Sequence, residues 1–231
     1  MKFYLGIFIF SFSLFSQQNA KIVYRVVQDT TQCSFDTGDK MVDRSLKERS
    51  KRVYEVAKDL EYILKFNAIE SIYRLDEPMR DESVGMMDFM MAKLLGGVDV
   101  YYQNARERIR IQQYYENGKS ICELDSINQK WQITEEIGKI GEYKVIKAVF
   151  NNTEAWFTPD IPVPFGPMGY GGLPGLILKI QFKMRIIVVD KIIFSRKNIK
   201  IKRPDGEIKS AEEMKKKRLE ELIKRQQRIR R

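Results

Sequence analysis

Residues that could carry out catalysis are few, because the chain contains no histidine. This composition excludes Ser/His/Asp and Cys/His nucleophilic machinery, imidazole zinc sites and the commonest general base near neutral pH. An enzyme remains possible only through carboxylate, Tyr or Lys chemistry, and the specific candidate is a hydrolase that uses Asp160 with another carboxylate such as Glu154 or Asp190. Single carboxylates beside a turn are more often caps or surface charges. We therefore predict no catalytic residue and no cofactor.

Soft metal ligands occur in one short stretch. Met86, Met87, Met90 and Met91 are spaced i, i+1, i+4 and i+5, so on a helix they form one thioether stripe. Such a stripe suits Cu(I) in an exported protein. It also suits an apolar flap, because methionine fills irregular apolar gaps. We favour the flap and predict no metal site. If the stripe does bind Cu(I), these four methionines are the candidate ligands.

The two cysteines, Cys33 and Cys122, form a candidate disulfide if the chain is exported to an oxidising compartment. Two free thiols are equally compatible with the sequence, since nothing in it fixes the distance between them. Both alternatives stay open at this stage.

The basic charge is confined to one end of the chain. The net charge is +10, and residues 183–231 hold 18 Lys and Arg against 7 Asp and Glu, which is +11 and leaves −1 for the rest. The body is thus close to neutral and no basic face is indicated. We predict no nucleic-acid partner.

The amino terminus has the pattern of a secretory signal peptide. Residues 1–16 place Lys2 before an apolar, aromatic run that is too short to be a permanent membrane helix. We predict cleavage after Ser16, or alternatively after Ala20. No cysteine lies near either position, so a lipoprotein is not expected. The predicted location is the periplasm or the outer membrane, or outside the cell.

Alternating apolar residues predict a mainly β fold with minor α structure. Residues 17–208 are expected to form a single antiparallel β domain, with helical or loop insertions near 45–58 and 78–97. The strands predicted in 176–182 and 185–196 are expected to be the most buried pair. Hairpin turns are predicted at Asn67-Ala68 and Asn117-Gly118.

Residues 209–231 are predicted to form a basic C-terminal helix that begins with a capping box at Ser210 and Glu213. One interpretation of this helix is contact with an anionic membrane surface or an acidic partner, and the other is a solvated helix.

The rest of the chain is organised around residues 155–180, AWFTPDIPVPFGPMGYGGLPGLILKI, which hold five of the seven prolines and five of the fourteen glycines. Proline lacks an N–H and glycine opens positive φ, so the stretch cannot be a regular helix or a central strand. Its large apolar side chains exclude a solvated linker. We predict a rigid corner that turns a strand sharply, with positive φ available at Gly175 after Pro174. The alternative is a recognition loop at the mouth of a curved sheet. The candidate binding residues are Trp156, Phe157, Phe165, Tyr170, Gly172, Leu173, Pro174 and Gly175.

The stretch also carries a family resemblance. The hexapeptide Gly-Leu-Pro-Gly-Leu-Ile at residues 172–177 follows Ala-Trp-Phe-Thr at 155–158, Ile161-Pro162 and Gly166-Pro167. Trp131 and Gly-Glu-Tyr-Lys at 141–144 precede them. In this order the motifs resemble the GLPGLI family, exported proteins of Gram-negative bacteria without an established function. Val145 stands where that family often has a cysteine, so no family disulfide is carried over.

The resemblance implies a strongly curved antiparallel sheet, similar in outline to the open half-barrels of lipoprotein carriers. It also implies an envelope partner such as an outer-membrane receptor-like protein, and no catalytic residue. We therefore expect a non-catalytic binding or accessory module that holds an apolar ligand or a protein partner on the concave face of its sheet. The alternatives are the carboxylate-dependent hydrolase and a structural, secreted surface protein.

Overall fold

The computed structural model describes residues 19–29, 36–76 and 82–229, and the twelve strands in this part of the chain form one sheet that is not closed into a barrel. This confirms the predicted mainly β fold. The predicted signal peptide and Cys33 lie outside the described residues. The strands are β1 (Asn19–Gln28), β2 (Glu61–Phe66), β3 (Glu70–Asp76), β4 (Val100–Asn104), β5 (Ile109–Glu116), β6 (Lys119–Ser126), β7 (Gln132–Ile140), β8 (Tyr143–Phe150), β9 (Thr153–Thr158), β10 (Leu176–Gln181), β11 (Arg185–Ser195) and β12 (Glu207–Ser210).

The sheet order is β12-β6-β5-β4-β3-β2-β1-β11-β10-β9-β8-β7. Neighbouring strands pair antiparallel except β12, which runs parallel to β6. Strand β1 is at the centre, and side chains at alternate positions from Ala20 to Val26 are fully buried. An alternating pattern of this kind lets one face of each strand pack on the core.

Local sequence sets the two predicted hairpin turns. Asn117 and Gly118 both have positive φ, 52° and 75°, which joins β5 to β6 with a turn that matches the twist of the strands. Between β2 and β3 the side chain of Asn67 accepts hydrogen bonds from the backbone amides of Ile69 and Glu70. Both predicted hairpins are confirmed.

Burial along β10 and β11 differs from the prediction. Strand β10 is almost entirely buried, but β11 is half-exposed, and Phe194 near its end is 50% exposed. The physical reason is that the outer face of the sheet at β11 is not covered, so only one face of this strand packs. The two strands with the most buried side chains among these three are therefore β10 and β1, which lie on either side of β11.

The sheet is strongly curved around the segment that joins β9 to β10. Within this segment, Phe165 packs on Phe66 of β2 with 6.2 Å between ring centroids, and the Gly169 carbonyl accepts a hydrogen bond from Gln103 of β4. Strands β4 and β10 are five positions apart in the sheet, which would be roughly 24 Å in a flat sheet. One short segment can touch both only because the sheet wraps around it.

Helices cover the sheet at two places. Helices α1 (Lys40–Ala57) and α2 (Met86–Gly96) pack on each other and on β1, and α3 (Ala211–Ile229) follows β12. Asp39 caps α1, because its carboxylate accepts hydrogen bonds from the amides of Met41 and Val42. Among the described residues, no helix is both long enough and apolar enough to cross a membrane.

Candidate functional site

The predicted corner is the segment between β9 and β10, and we call residues 159–175 the corner segment. It is held by backbone hydrogen bonds: Ile161 accepts from Leu176, Pro164 from Gly172 and Phe165 from Ile177, each at 2.9–3.0 Å. Trp131 Nε1 donates to the Gly171 carbonyl at 2.8 Å. The corner segment is therefore an ordered part of the core and not a linker.

The eight candidate binding residues of the corner do not form one surface. Four are buried: Phe157, Phe165, Leu173 and Gly175. Trp156 and Tyr170 are half-buried, and Gly172 and Pro174 are exposed. A ligand cannot reach the buried four in the folded protein, so these residues have a structural role.

The glycines of the hexapeptide act differently from the prediction. Positive φ occurs at Gly172, at 84°, and not at Gly175. Gly175 is required by close approach instead, because a methyl group there would overlap the backbone carbonyl of Thr158. The glycine at 172 thus turns the chain, and the glycine at 175 lets β10 lie directly against the end of β9.

The concave face beside the corner segment is filled by side chains. Four tyrosine rings form a cluster in which one central ring, that of Tyr73, contacts the other three, with centroids 6.1–6.2 Å apart. They are Tyr24, Tyr62, Tyr73 and Tyr101. Three of the hydroxyls donate to backbone carbonyls: Tyr24 to Ile177 at 2.6 Å, Tyr73 to Gly96 at 2.8 Å and Tyr62 to Lys93 at 2.9 Å. The space in which the sequence predicted a ligand is thus occupied by the protein itself.

These tyrosines do not offer acid or base chemistry near neutral pH. Burial raises the pKa of Tyr24 and of Tyr73 well above the usual phenol value. Burial likewise raises the pKa of Tyr101, and the nearby Asp99 carboxylate adds to the shift. The tyrosine cluster therefore stays neutral, and its hydrogen bonds join β1 to β10 and β3 to α2.

The three carboxylates of the candidate hydrolase are held by separate contacts. Glu154 pairs with Lys147 at 3.0 Å, Asp190 with Arg25 at 3.0 Å, and Asp160 lies in the turn after β9. Glu154 lies within β9, whereas Asp160 lies beyond its last residue, Thr158. Among the described residues, no hydrogen bond joins any two of these carboxylates, and each has a different environment.

The candidate metal and disulfide residues also have defined surroundings. The four methionines lie on α2 and are 42–62% exposed, and the described residues contain no cluster of three or more His, Cys, Asp or Glu side chains. Cys122 is a buried free thiol whose Sγ is 3.8 Å from the Pro204 carbonyl. Because Cys33 is outside the described residues, its pairing with Cys122 stays a prediction.

An open cleft that the sequence did not predict lies between α1, α2 and the hairpin of β10 and β11. We call it the α1–α2 groove; its volume is about 380 Å³, which is at the low end of the range of ligand pockets, roughly 300–1,000 Å³. It is lined by Leu46, Arg49, Ser50, Val53, Tyr54, Met91, Leu95, Phe182, Lys183, Met184 and Arg185. Its wall is mainly apolar and three cations stand at its edge.

Arg185 holds the groove together. Its Nη1 donates to the carbonyls of Leu94 and Leu95 at 3.1 and 2.6 Å, at the C-terminal end of α2, where a cation is favourable. Its guanidinium lies 4.6 Å from the centroid of the Phe182 ring. On the opposite wall, the Tyr54 hydroxyl donates to the Met184 carbonyl at 2.7 Å. The two helices and the hairpin are thus fixed relative to one another.

The two remaining cations at the groove, Lys183 and Arg49, differ in their surroundings. Lys183 is exposed and forms no ion pair with any described residue. Arg49 is 3.9 Å from Asp88, which is closer to Arg52 at 3.2 Å. An apolar groove with an exposed lysine at its edge suits a molecule that has an apolar part and an anionic group.

A second, polar cleft of about 500 Å³ adjoins the exposed part of the corner segment. It is lined by Ala105, Arg108, Ile127, Asn128, Gln129, Lys130, Pro164 and Gly172. These groups can donate and accept hydrogen bonds, but they include no carboxylate and no thiol. The exposed signature residue Gly172 contributes to this cleft, whereas the α1–α2 groove contains none of the eight candidates.

Sequence reasoning missed the α1–α2 groove because its walls come from three distant segments. Helical spacing in 45–58 and 86–97 and the apolar run of β10 and β11 are each visible in the sequence. Their meeting depends on how α1 and α2 pack against β1, which local patterns do not determine. The one feature of the sequence that indicates an exposed apolar surface here is the methionine-rich stretch, for which the sequence favours a flap.

Comparisons with known proteins agree with this fold. Residues 150–179, which include the corner segment, match the profile of a family described as "Protein of unknown function (Porph_ging)". The comparison with curated proteins gave no significant match. Among solved structures the chain is similar to PNGF-II in a C2 crystal form, with a TM-score of 0.51 and 19% identity over 84% of this chain. It is also similar to PNGF-II in a P21 form, with a TM-score of 0.54 and 19% identity over 86% of this chain.

The chain spans about a third of the length of those structures, 31% and 32%. At this identity the likeness is one of fold. The matched family segment, 150–179, runs from the end of β8 through β9 and the corner segment into β10. The part of the chain that carries the family likeness is therefore the part around which the sheet curves.

Proposed function

We propose that this chain is a non-catalytic binding module of the Gram-negative cell envelope whose binding surface is the α1–α2 groove. The ligand class is an amphiphile with an apolar tail and an anionic head group. The observation that carries the proposal is that the groove has apolar walls and, at its edge, the exposed cation Lys183, which forms no ion pair with any described residue. Export is supported by the signal-peptide pattern of residues 1–16 and by the resemblance to the GLPGLI family.

The groove replaces the concave face as the site of binding. The tyrosine cluster and the corner segment occupy that face, whereas the groove is open and its apolar side chains Leu46 and Met91 are 37% and 42% exposed. Covering these side chains with an alkyl chain is favourable by about 25 cal/mol for each Å² removed from water. A head group beside Lys183 and Arg49 adds a charge interaction that an uncharged analogue lacks.

The experiment is calorimetric titration of the purified protein with dodecanoate, with uncharged 1-dodecanol as the matched ligand. We expect one bound dodecanoate per chain and weaker binding of the alcohol. Leu46→Glu places a charge in the apolar wall and should weaken dodecanoate binding at least tenfold. Met41→Glu, on an exposed position of the same helix outside the groove, should leave it unchanged.

Two results would overturn the proposal. One is that neither ligand binds while the protein is folded, as judged by its thermal transition. The other is that dodecanoate binds equally well to the protein with Leu46→Glu, which would move the site elsewhere. Lys183→Gln is a further check, since it should weaken dodecanoate binding several-fold and leave binding of the alcohol unchanged.

A further inference from the structure

Helix α3 is attached to the body by its first two turns. Met214 is 3% exposed, Lys217 Nζ is 3.0 Å from both carboxylate oxygens of Glu116, and Arg218 donates to Glu123 at 2.6 Å. These three contacts lie on one side of the helix and join it to β5 and β6. They define which face of α3 is turned toward the protein.

The rest of α3 projects beyond these contacts. Every described side chain from Leu219 to Gln227 is exposed. Three aliphatic residues are among them, Leu219, Leu222 and Ile223, at 57%, 58% and 47% exposure. On a helix these residues share a face because they are spaced i, i+3 and i+4. The aliphatic stripe is thus directed away from the body and covered by no described residue.

Cations flank the aliphatic stripe. Residues that are four or seven positions apart lie on the same side of a helix. Lys215 is four residues before Leu219 and Lys216 is seven before Ile223, so both lysines lie beside the stripe. Both are exposed. Three acidic residues lie near these positions. Glu221 lies on the side of Lys217, Glu220 lies at the border of the stripe, and Glu212, seven residues before Leu219, lies at the N-terminal end of the same face. Residues 222–231 contain no acidic residue. Beyond Glu212, the face that is turned away from the body combines apolar and basic side chains.

We propose that this face of α3 docks on an anionic phospholipid surface, with Leu219, Leu222 and Ile223 at the level of the acyl chains and the lysines among the head groups. An interfacial helix has this pattern, because lysine stems lie along the apolar surface while the ammonium groups stay in water. The proposal does not depend on the α1–α2 groove.

A membrane fits the face better than a second copy of the chain does. The stripe has three aliphatic residues, whereas a coiled coil repeats its apolar positions over several heptads. Residues 211–229 carry seven Lys and Arg and four Glu, which is +3, so two copies of this helix side by side repel each other. The same charge is attracted to an anionic lipid surface, with each basic residue near the surface contributing about 1 kcal/mol.

The test is vesicle flotation of the purified full chain. Vesicles of equal phosphatidylglycerol and phosphatidylcholine are compared with vesicles of phosphatidylcholine alone. We expect the protein to float with the anionic vesicles and not with the neutral ones. Lys215→Gln should reduce the partition coefficient about fivefold, the equivalent of about 1 kcal/mol. Lys47→Gln, at an exposed position of α1, is the matched control and should change nothing.

The apolar part is tested by Leu222→Ser, which should also lower partition, with Leu94→Ser as a control at a 49% exposed leucine of α2. All variants should keep the thermal transition of the parent protein. Equal flotation with both vesicle types would overturn the proposal, as would unchanged partition of the Lys215 and Leu222 variants. A dimer in sedimentation equilibrium that Leu222→Ser dissociates would also overturn it, because the face would then bind a second copy.

Discussion

The hydroxyl of Tyr24 on β1 donates a 2.6 Å hydrogen bond to the backbone carbonyl of Ile177, 153 residues later in the chain. Ile177 is the last residue of the Gly-Leu-Pro-Gly-Leu-Ile hexapeptide, and both groups are fully buried. The bond therefore joins the first described strand to the end of the signature. It explains how a local turn motif is fixed in place by a residue at the far end of the domain.

Tyr24→Phe should destabilise the fold by about 1–3 kcal/mol, because the Ile177 carbonyl would lose a hydrogen-bond donor that buried surroundings cannot replace. The measurement is the free energy of unfolding from urea titration, with an unchanged m-value. Tyr115→Phe, at a tyrosine that is 78% exposed, is the matched control and should lie within about 0.5 kcal/mol of the parent. Equal free energies of unfolding for the Tyr24 and Tyr115 variants would show that this hydrogen bond makes no net contribution to stability.

Gly175→Ala should be more costly than a typical glycine substitution. The added methyl group overlaps the carbonyl oxygen of Thr158, and neither backbone can move without breaking the pairing of β9 and β10. We expect a loss of at least about 1–3 kcal/mol, the usual cost of overpacking. Gly85→Ala is the control, because nothing lies within 4 Å of that position and its φ is −56°. A melting temperature of Gly175→Ala equal to that of the control would contradict this account.

Unfolding at alkaline pH should be coupled to the ionisation of the buried tyrosines. Burial raises the pKa of Tyr102 from 10.0 to about 12, and a hydrogen bond to Glu70 adds to the shift. Burial also raises the pKa of Tyr24 and Tyr73. The folded-state pKa values lie above the unfolded value, so the stability contribution is complete below pH 10 and decreases as the pH rises toward the folded pKa.

The measurement is phenolate absorbance followed together with circular dichroism between pH 9 and the end of the transition. We expect part of the phenolate signal to appear only with the loss of β structure. Tyr73→Phe should remove part of that coupled signal. A phenolate titration that is complete while the sheet is intact would contradict the assigned burial.

Acid should release the start of α3. The backbone amide and hydroxyl of Ser210 both bind the Glu213 carboxylate at 3.0 Å and lower its pKa. Because the folded pKa is lowered, the stabilisation is present above the usual glutamate value of 4.5 and is lost as the pH falls through the folded pKa. Hydrogen-exchange protection of residues 211–218 should therefore be lower at acid pH than at neutral pH.

Two variants separate the capping box from general acid effects. Glu213→Gln should reduce the difference in protection between acid and neutral pH. Glu212→Gln, at the exposed neighbouring glutamate, should keep it. Unchanged pH dependence in the Glu213 variant would show that the cap does not control the end of the helix.

Several elements could be predicted because their cause is local. The Asn117-Gly118 turn requires two residues with positive φ, and the sequence supplies them in order. The capping box at Ser210 and Glu213 spans one helical turn, so its spacing is visible without any tertiary contact. The proline- and glycine-rich corner was identified for the same reason, since φ restrictions act residue by residue.

Other features failed to follow from the sequence because they depend on distant neighbours. The burial of β11 was overestimated, since an apolar strand does not reveal which of its faces is covered. The role of Gly175 was assigned to φ, whereas the cause is the carbonyl of Thr158 seventeen residues before it. Four of the candidate binding residues are buried: Phe157, Phe165, Leu173 and Gly175. Their residue types are as common in a protein core as on a binding surface, so the sequence does not distinguish the two roles.

By itself, the sequence determined the mainly β class, the position of the corner and the charge of the C-terminal helix, because backbone restrictions, side-chain periodicity and charge are local properties. The tertiary structure decided that the corner segment fills the concave face and that the open apolar surface lies between α1, α2 and the β10–β11 hairpin. The physical reason is that sheet curvature and helix packing bring together residues that are distant in the chain, such as Tyr24 and Ile177, or Leu46 and Phe182. Whether a side chain is buried depends on these distant neighbours and not on its own residue type alone.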